Sequence, residues 1–200
     1  MLTWKEIEEQ DKLMLSRQKR FRVAADCVAS AFARIPAIQK VVLLGSVAVP
    51  LKKEVPRFRE FKREGVEVFH ECKDIDLAVW LSDLGVLRVL QKARSSALND
   101  LLREKNIGVA HHQVDVFIME PETDRYLGRL CDCAKCPKGT DDCLVPGCGE
   151  VRFLKQHRKF VFDPKTLQPQ NSIVLFSRTI QSNAVVDEKT FLQKGNGCVR

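Results

Sequence analysis

Two apolar runs in this chain carry carboxylates, and that restricts what it can fold into. Asp74-Ile75-Asp76-Leu77 opens the run that continues to Leu81, and Asp115 sits inside Val114-Asp115-Val116-Phe117-Ile118. Both runs read as strands. A carboxylate inside such a run is costly to bury unless positive charge lies against it. Side chains alternate along a strand, so Asp74 and Asp76 share one face, about 6.6 Å apart along the chain. Ile75, Leu77, Val79 and Leu81 take the other face. The second run puts Asp115 opposite Val114, Val116 and Ile118. If the two strands are neighbours, roughly 4.8 Å apart, all three carboxylates converge. A divalent metal holding a polyphosphate is the simplest way to neutralise them, because Mg²⁺ takes carboxylates together with phosphate oxygens.

A third segment completes the pattern. Val41-Val42-Leu43-Leu44-Gly45-Ser46 reads as a buried strand entering a tight turn. Glycine there lets the backbone approach a phosphate closely. Amides at the start of a following helix then point at the anion, and the Ser46 hydroxyl donates to it.

At these residues the chain resembles the nucleotidyltransferase superfamily, the fold of the DNA polymerase β palm. The resemblance spans about residues 38–119 and rests on Leu44-Gly45-Ser46, Asp74-Ile75-Asp76-Leu77 and Val114-Asp115-Val116. Ala48 matches the Gly-Ser-x-Ala form of the small, minimal members. The resemblance implies an α/β (α+β) fold, a mixed sheet flanked by helices. It also implies two Mg²⁺ ions and transfer of a nucleoside monophosphate from an NTP to an acceptor. Asp74 and Asp76 would then hold both metals, and Asp115 the catalytic one beside the attacking group. Gly45 and Ser46 would grip the β,γ-phosphates. The acceptor stays open between a small molecule, a protein side chain and an RNA end. The chain departs from the family in two places. Residues 47–73 are a long insertion, and Val49-Pro50 stands where minimal members often have Arg-Gly. These departures motivate an alternative, a catalytically inactive module of this fold that binds nucleic acid or nucleotide through its basic insertion and a zinc knuckle in the cysteine-rich loop.

Around this core the pattern predicts a helical segment over residues 1–36. Thr3 and Glu6 form a capping-box pair, and Ile7, Met14, Phe21, Val28 and Ile35 recur every seven residues, with Trp4 and Leu13 widening the stripe. The core covers 37–120, with strands over 38–44, 75–81 and 113–119 and a helix over 84–104. The stretch 50–73 reads as a mixed-charge loop with a short strand at 66–70. Residues 122–130 are expected to form a short helix. A cysteine-rich appendage with a return strand covers 121–165, and a C-terminal extension, partly disordered, covers 166–200.

Five of the eight cysteines crowd into residues 131–148. Cys-x-x-Cys spacing suits two thiolates on one tetrahedral ion. Cys133, Cys136, Cys143 and Cys148 are therefore the expected ligands of a structural Zn²⁺. Cys131 is an alternate ligand, and His157 a further candidate. Unliganded thiols, a redox role or an iron–sulfur cluster are the other readings. The loop, with Arg152, Lys155, Arg158 and Lys159 behind it, either staples itself or meets an acceptor.

The formal charge of +7 favours an anionic partner, NTP or nucleic acid. No apolar run reaches the length of a membrane span. The polar N-terminus lacks the pattern of a secretory signal, so a cytoplasmic setting is expected.

Overall fold

The computed structural model describes residues 2–133, 151–156 and 160–178. Its first element, α1 (Trp4–Ala33), begins where the sequence places it. The Thr3 hydroxyl accepts the Glu6 amide, and the Glu6 carboxylate accepts the Thr3 amide at 2.7 Å. Met14, Phe21, Ala24, Ala25, Val28 and Phe32 form its buried stripe. Trp4 and Leu13, expected in that stripe, are instead exposed.

The remaining elements follow in chain order: β1 (Ile38–Leu44), α2 (Gly45–Ala48), β2 (Lys53–Glu54), α3 (Arg59–Glu64), β3 (Val68–Phe69) and β4 (Ile75–Leu81). After them come α4 (Leu87–Lys105), β5 (Val114–Met119), β6 (Tyr126–Leu130), β7 (Leu154–Lys155) and β8 (Ile173–Ser177). Among the described residues six strands make one mixed sheet, ordered β7-β6-β5-β4-β1-β8. Only β4 and β5 run parallel, joined across α4, and the other neighbours are antiparallel. The short pair β2–β3 is a separate ribbon.

Alternation sorts the sheet into two faces. Val41, Leu43, Ile75, Leu77, Val79, Val114, Val116 and Ile118 pack with the buried stripes of α1 and α4 in the main core. The opposite face carries a second cluster of Val42, Leu44, Ala78, Trp80, Phe117 and Met119. Tyr126, Phe160, Phe162 and Leu167 pack against it. The carboxylates occupy the end of this second face.

Four parts of the sequence reading change. Residues 122–130 are not a helix. Glu122 and Asp124 adopt left-handed backbone (φ 68 and 55), and the Glu120 amide bonds back to the Arg125 carbonyl at 2.8 Å. The chain therefore reverses, and Tyr126–Leu130 pairs with β5 as a strand. The mixed-charge stretch 50–73 is more ordered than a loop. It contains β2, α3 and β3, with Phe61 and Val68 buried. The return strand expected within 121–165 is short, Leu154–Lys155, within the described residues. Ile173–Ser177 pairs with β1 and forms a sheet edge that the sequence pattern did not reveal. Among the described residues no helix is long and apolar enough to cross a membrane.

Candidate active site

Register brings the sequence-selected residues together. In the parallel pair Asp76 lies directly opposite Asp115. In the antiparallel pair Leu44 lies opposite Asp76, so Gly45 follows at the same sheet end. Gly45 has φ +69, and a Cβ built there would stand 2.8 Å from Asp76 Oδ2. Glycine is thus required twice, by the left-handed backbone and by the carboxylate against it. Asp74, just before β4, is exposed and close enough to raise the proton affinity of both partners.

The electrostatics reflect this crowding. Burial, then the charges of Asp115 and Asp74, push the Asp76 carboxyl up to about 6, against a smaller opposing pull from Arg129. Asp115 is also raised, chiefly by burial, with Arg129 opposing. Desolvation and like charge act in the same direction on a carboxylate.

The turn after β1 is a single helical turn, shorter than the helix the sequence suggests, because Pro50 follows. Its carbonyls are capped from α1. Gln18 Nε2 donates to the carbonyls of Ser46 (2.8 Å) and Val49 (2.7 Å). Arg22 donates to those of Val47 (2.8 Å) and Ala48 (2.9 Å). Four otherwise orphaned acceptors are satisfied in this way. Cys72, fully buried, lies against Ser46, and burial pushes its thiol up.

A cavity of about 500 Å³ opens beside Ser46, Asp74 and Asp76. Its far wall is the insertion, including Arg57, Phe58, His70 and Lys73. Arg57 and Lys73 make no ion pair among the described residues, whereas His70 Nδ1 stands 2.8 Å from Glu54 Oε1. The basic composition of the insertion suggests a role beside a triphosphate or an acceptor, but nothing local to residues 50–70 specifies how they fold back.

Arg129 was also missed. Its Nη1 donates to Asp115 Oδ2 at 2.8 Å. Its guanidinium lies over the rings of Phe117 (4.7 Å) and Phe160 (4.9 Å). Both members of the pair keep about 30% exposure (28% and 31%), so it faces solvent rather than a closed interior. Among the described residues no three His, Cys, Asp or Glu side chains are gathered as a finished metal cage. The donor set nonetheless suits a hard cation: oxygen ligands from neighbouring strands, both with raised proton affinity, beside a glycine that keeps the space open.

No family model matches the chain, and no curated protein or solved structure matches it.

Cys136, Cys143, Cys148, His157, Arg158 and Lys159 lie outside the described residues. Cys131 is buried and Cys133 half-buried, both as free thiols. Helix α4 holds this root. Gln91 Nε2 donates to the carbonyls of Cys131 (2.9 Å) and Cys133 (2.5 Å). Arg94, 1% exposed, donates to Val114 O (2.9 Å) and Asp132 Oδ1 (2.8 Å). Lys155, expected behind the cysteine loop, closes on Asp132 at 3.2 Å.

Proposed function

We propose that this chain is a Mg²⁺-dependent nucleotidyltransferase with a minimal polymerase β-like core, acting on an NTP and an acceptor. The observation that carries the reading is the register of Asp76 against Asp115, with Gly45 packed on Asp76 at the mouth of a cavity walled by Arg57 and Lys73. Asp74, Asp76 and Asp115 would hold two Mg²⁺ ions, which neutralise the triphosphate and draw electron density from the α-phosphorus. Ser46 binds a terminal phosphate from the turn that Gln18 and Arg22 hold in place. Arg57 and Lys73 supply positive charge along the triphosphate. The acceptor oxygen forms a bond to the α-phosphorus as the bond to the β-phosphate oxygen breaks, and pyrophosphate leaves. Asp115 Oδ2 is held by Arg129, so Oδ1 is the atom available for the acceptor's proton. A structural Zn²⁺ on Cys133, Cys136, Cys143 and Cys148, with Cys131 as alternate, would close the loop that α4 anchors.

Titrating the full chain with each NTP in the presence and absence of Mg²⁺ tests the reading. Mg²⁺-dependent binding that is lost in Asp76→Ala, together with pyrophosphate release once an acceptor is supplied, is expected. Absence of Mg²⁺-dependent binding for all four NTPs would falsify it. The Arg129–Asp115 pair favours the second reading, an inactive nucleic-acid-binding module, because it occupies one carboxylate oxygen. That module predicts salt-sensitive RNA or DNA binding that survives the triple Asp→Ala change.

A further inference from the structure

A second cavity of about 500 Å³ adjoins the first, and the two share Phe58 and Glu71 in their walls. Its lining differs in kind. One side is α1, through Gln10, Leu13 and Arg17, and the other is the insertion, through Phe58 and Phe61. Phe58 is 38% exposed and Leu13 50%, so both offer apolar surface to this cavity. Phe61 is buried beneath Phe58 and braces it edge to face, with centroids 6.3 Å apart. Phe58 is thus a fixed ring with solvent-facing surface, standing between the two cavities.

Glu71 would be an awkward neighbour for a polyphosphate. Arg17 removes that difficulty, with Nη1 at 2.7 Å from Glu71 Oε1 and its guanidinium 5.3 Å from the centre of the Phe21 ring. The partition between the cavities is therefore nearly neutral. On one side of it the walls are charged, with Arg57 and Lys73 set among the carboxylates of Glu54, Asp74 and Asp76. On the other, Leu13, Met14, Phe21, Phe58 and Phe61 make an aromatic and aliphatic surface rimmed by Gln10, Arg17 and Arg20. A nucleoside triphosphate divides the same way, into an anionic tail and a planar head whose faces are apolar. Asp115 lines neither cavity, which leaves the acceptor its own approach from the Asp115 side.

We infer that the α1–α3 cavity is the nucleobase subsite, with the base stacked on Phe58, held from the α1 side by Leu13, and offered a donor and an acceptor by the Gln10 amide. This inference rests on the nucleotidyltransferase reading, and it gives the long insertion a role: its helix closes the base side of the site. Stacking of a base on an aromatic side chain is typically strong enough that truncating the ring costs roughly 5- to 100-fold in affinity.

The test compares each of the four NTPs with inorganic tripolyphosphate as probes, all with Mg²⁺, by calorimetry on the full chain. Wild type is expected to bind its preferred NTP more tightly than tripolyphosphate. Phe58→Ala should reduce that preference roughly 5- to 100-fold, and Phe58→Trp should keep it. The new indole should be quenched by the NTP and not by tripolyphosphate. Leu13→Trp, at an exposed position, fills the cavity and should abolish the preference with the fold intact by circular dichroism. A ratio of NTP to tripolyphosphate affinity unchanged in both Phe58→Ala and Leu13→Trp overturns the base subsite while leaving the transferase reading standing. Wild type that binds neither probe overturns both.

Discussion

Gly45 shows how much one residue decides here. Its left-handed backbone disfavours any side chain by about 1–2 kcal/mol, and its missing Cβ is what lets the Asp76 carboxylate lie against the turn. Gly45→Ala is therefore expected to destabilise the chain by about 1–2 kcal/mol in urea unfolding. It should also weaken Mn²⁺ binding, read by electron paramagnetic resonance, by roughly 10- to 100-fold, the usual cost of disturbing what orients a ligand. Unchanged Mn²⁺ affinity with lowered stability would assign Gly45 to the turn alone. Arg129 acts in the opposite sense. It lowers the proton affinity of both Asp76 and Asp115, so Arg129→Met should make protons compete better for the site. The pH at which the Mn²⁺ association constant falls to half its own high-pH value should move upward, and a downward move would contradict the assignment.

At the scale of elements, α1 and α4 hold the candidate site in place rather than contribute carboxylates to it. Gln18 and Arg22 fix the turn after β1, while Gln91 and Arg94 fix the start of β5 and the cysteine root. Arg94→Met would leave the Val114 carbonyl and Asp132 without their buried donor. A loss of about 3 kcal/mol in chemical denaturation follows from breaking such a pair, and a loss under about 1 kcal/mol would mean that Lys155 suffices for Asp132. The same elements show what the sequence could and could not reveal. Strands β1, β4 and β5 and helices α1 and α4 were legible because burial on one face imposes period 2 or 3.6 on their residues. That alternation also assigned Asp76 and Asp115 to one face. Strand β6 was not legible. Its reversal depends on Glu122 and Asp124 in left-handed backbone and on the Glu120–Arg125 pair, which no periodicity encodes. Gly128, at φ +150 with Lys155 O only 2.7 Å from where a Cβ would stand, lets β7 pack directly on β6. Reading 122–130 as a helix hid Arg129, because only the β5–β6 register brings it to Asp115. The second cavity was hidden for a related reason, since it arises where the insertion meets α1, more than 30 residues distant in sequence.

For the whole molecule, the site is a local reversal of sign: a chain of net charge +7 gathers carboxylates at one sheet end. That arrangement has a thermodynamic consequence with a definite direction. Asp76 ionises at about 6 in the folded chain against an ordinary 3.8. A folded-state value above the unfolded one means that its favourable contribution is complete below about pH 4 and is lost as pH rises through about 6. Near pH 7.5 the metal-free fold therefore carries a penalty on the order of 3 kcal/mol from this one group. Asp115 is shifted in the same direction. Asp76→Asn, which cannot ionise, should make the metal-free protein more stable than wild type at pH 7.5 by up to about 3 kcal/mol. The advantage should shrink towards zero as pH falls below about 4. On the proposed reading Mg²⁺ should reverse the comparison, because its charge would remove the reason for the penalty. The rise in melting temperature on adding Mg²⁺ should be large for wild type at pH 7.5, small at pH 5, and nearly absent in Asp76→Asn at either pH. Parallel differential scanning calorimetry of the two chains reads all of these at once. An Asp76→Asn protein less stable than wild type at pH 7.5 without metal would show that the carboxylate is structurally satisfied as it stands. A Mg²⁺ shift equal at both pH values would show that the ion binds somewhere other than this cluster.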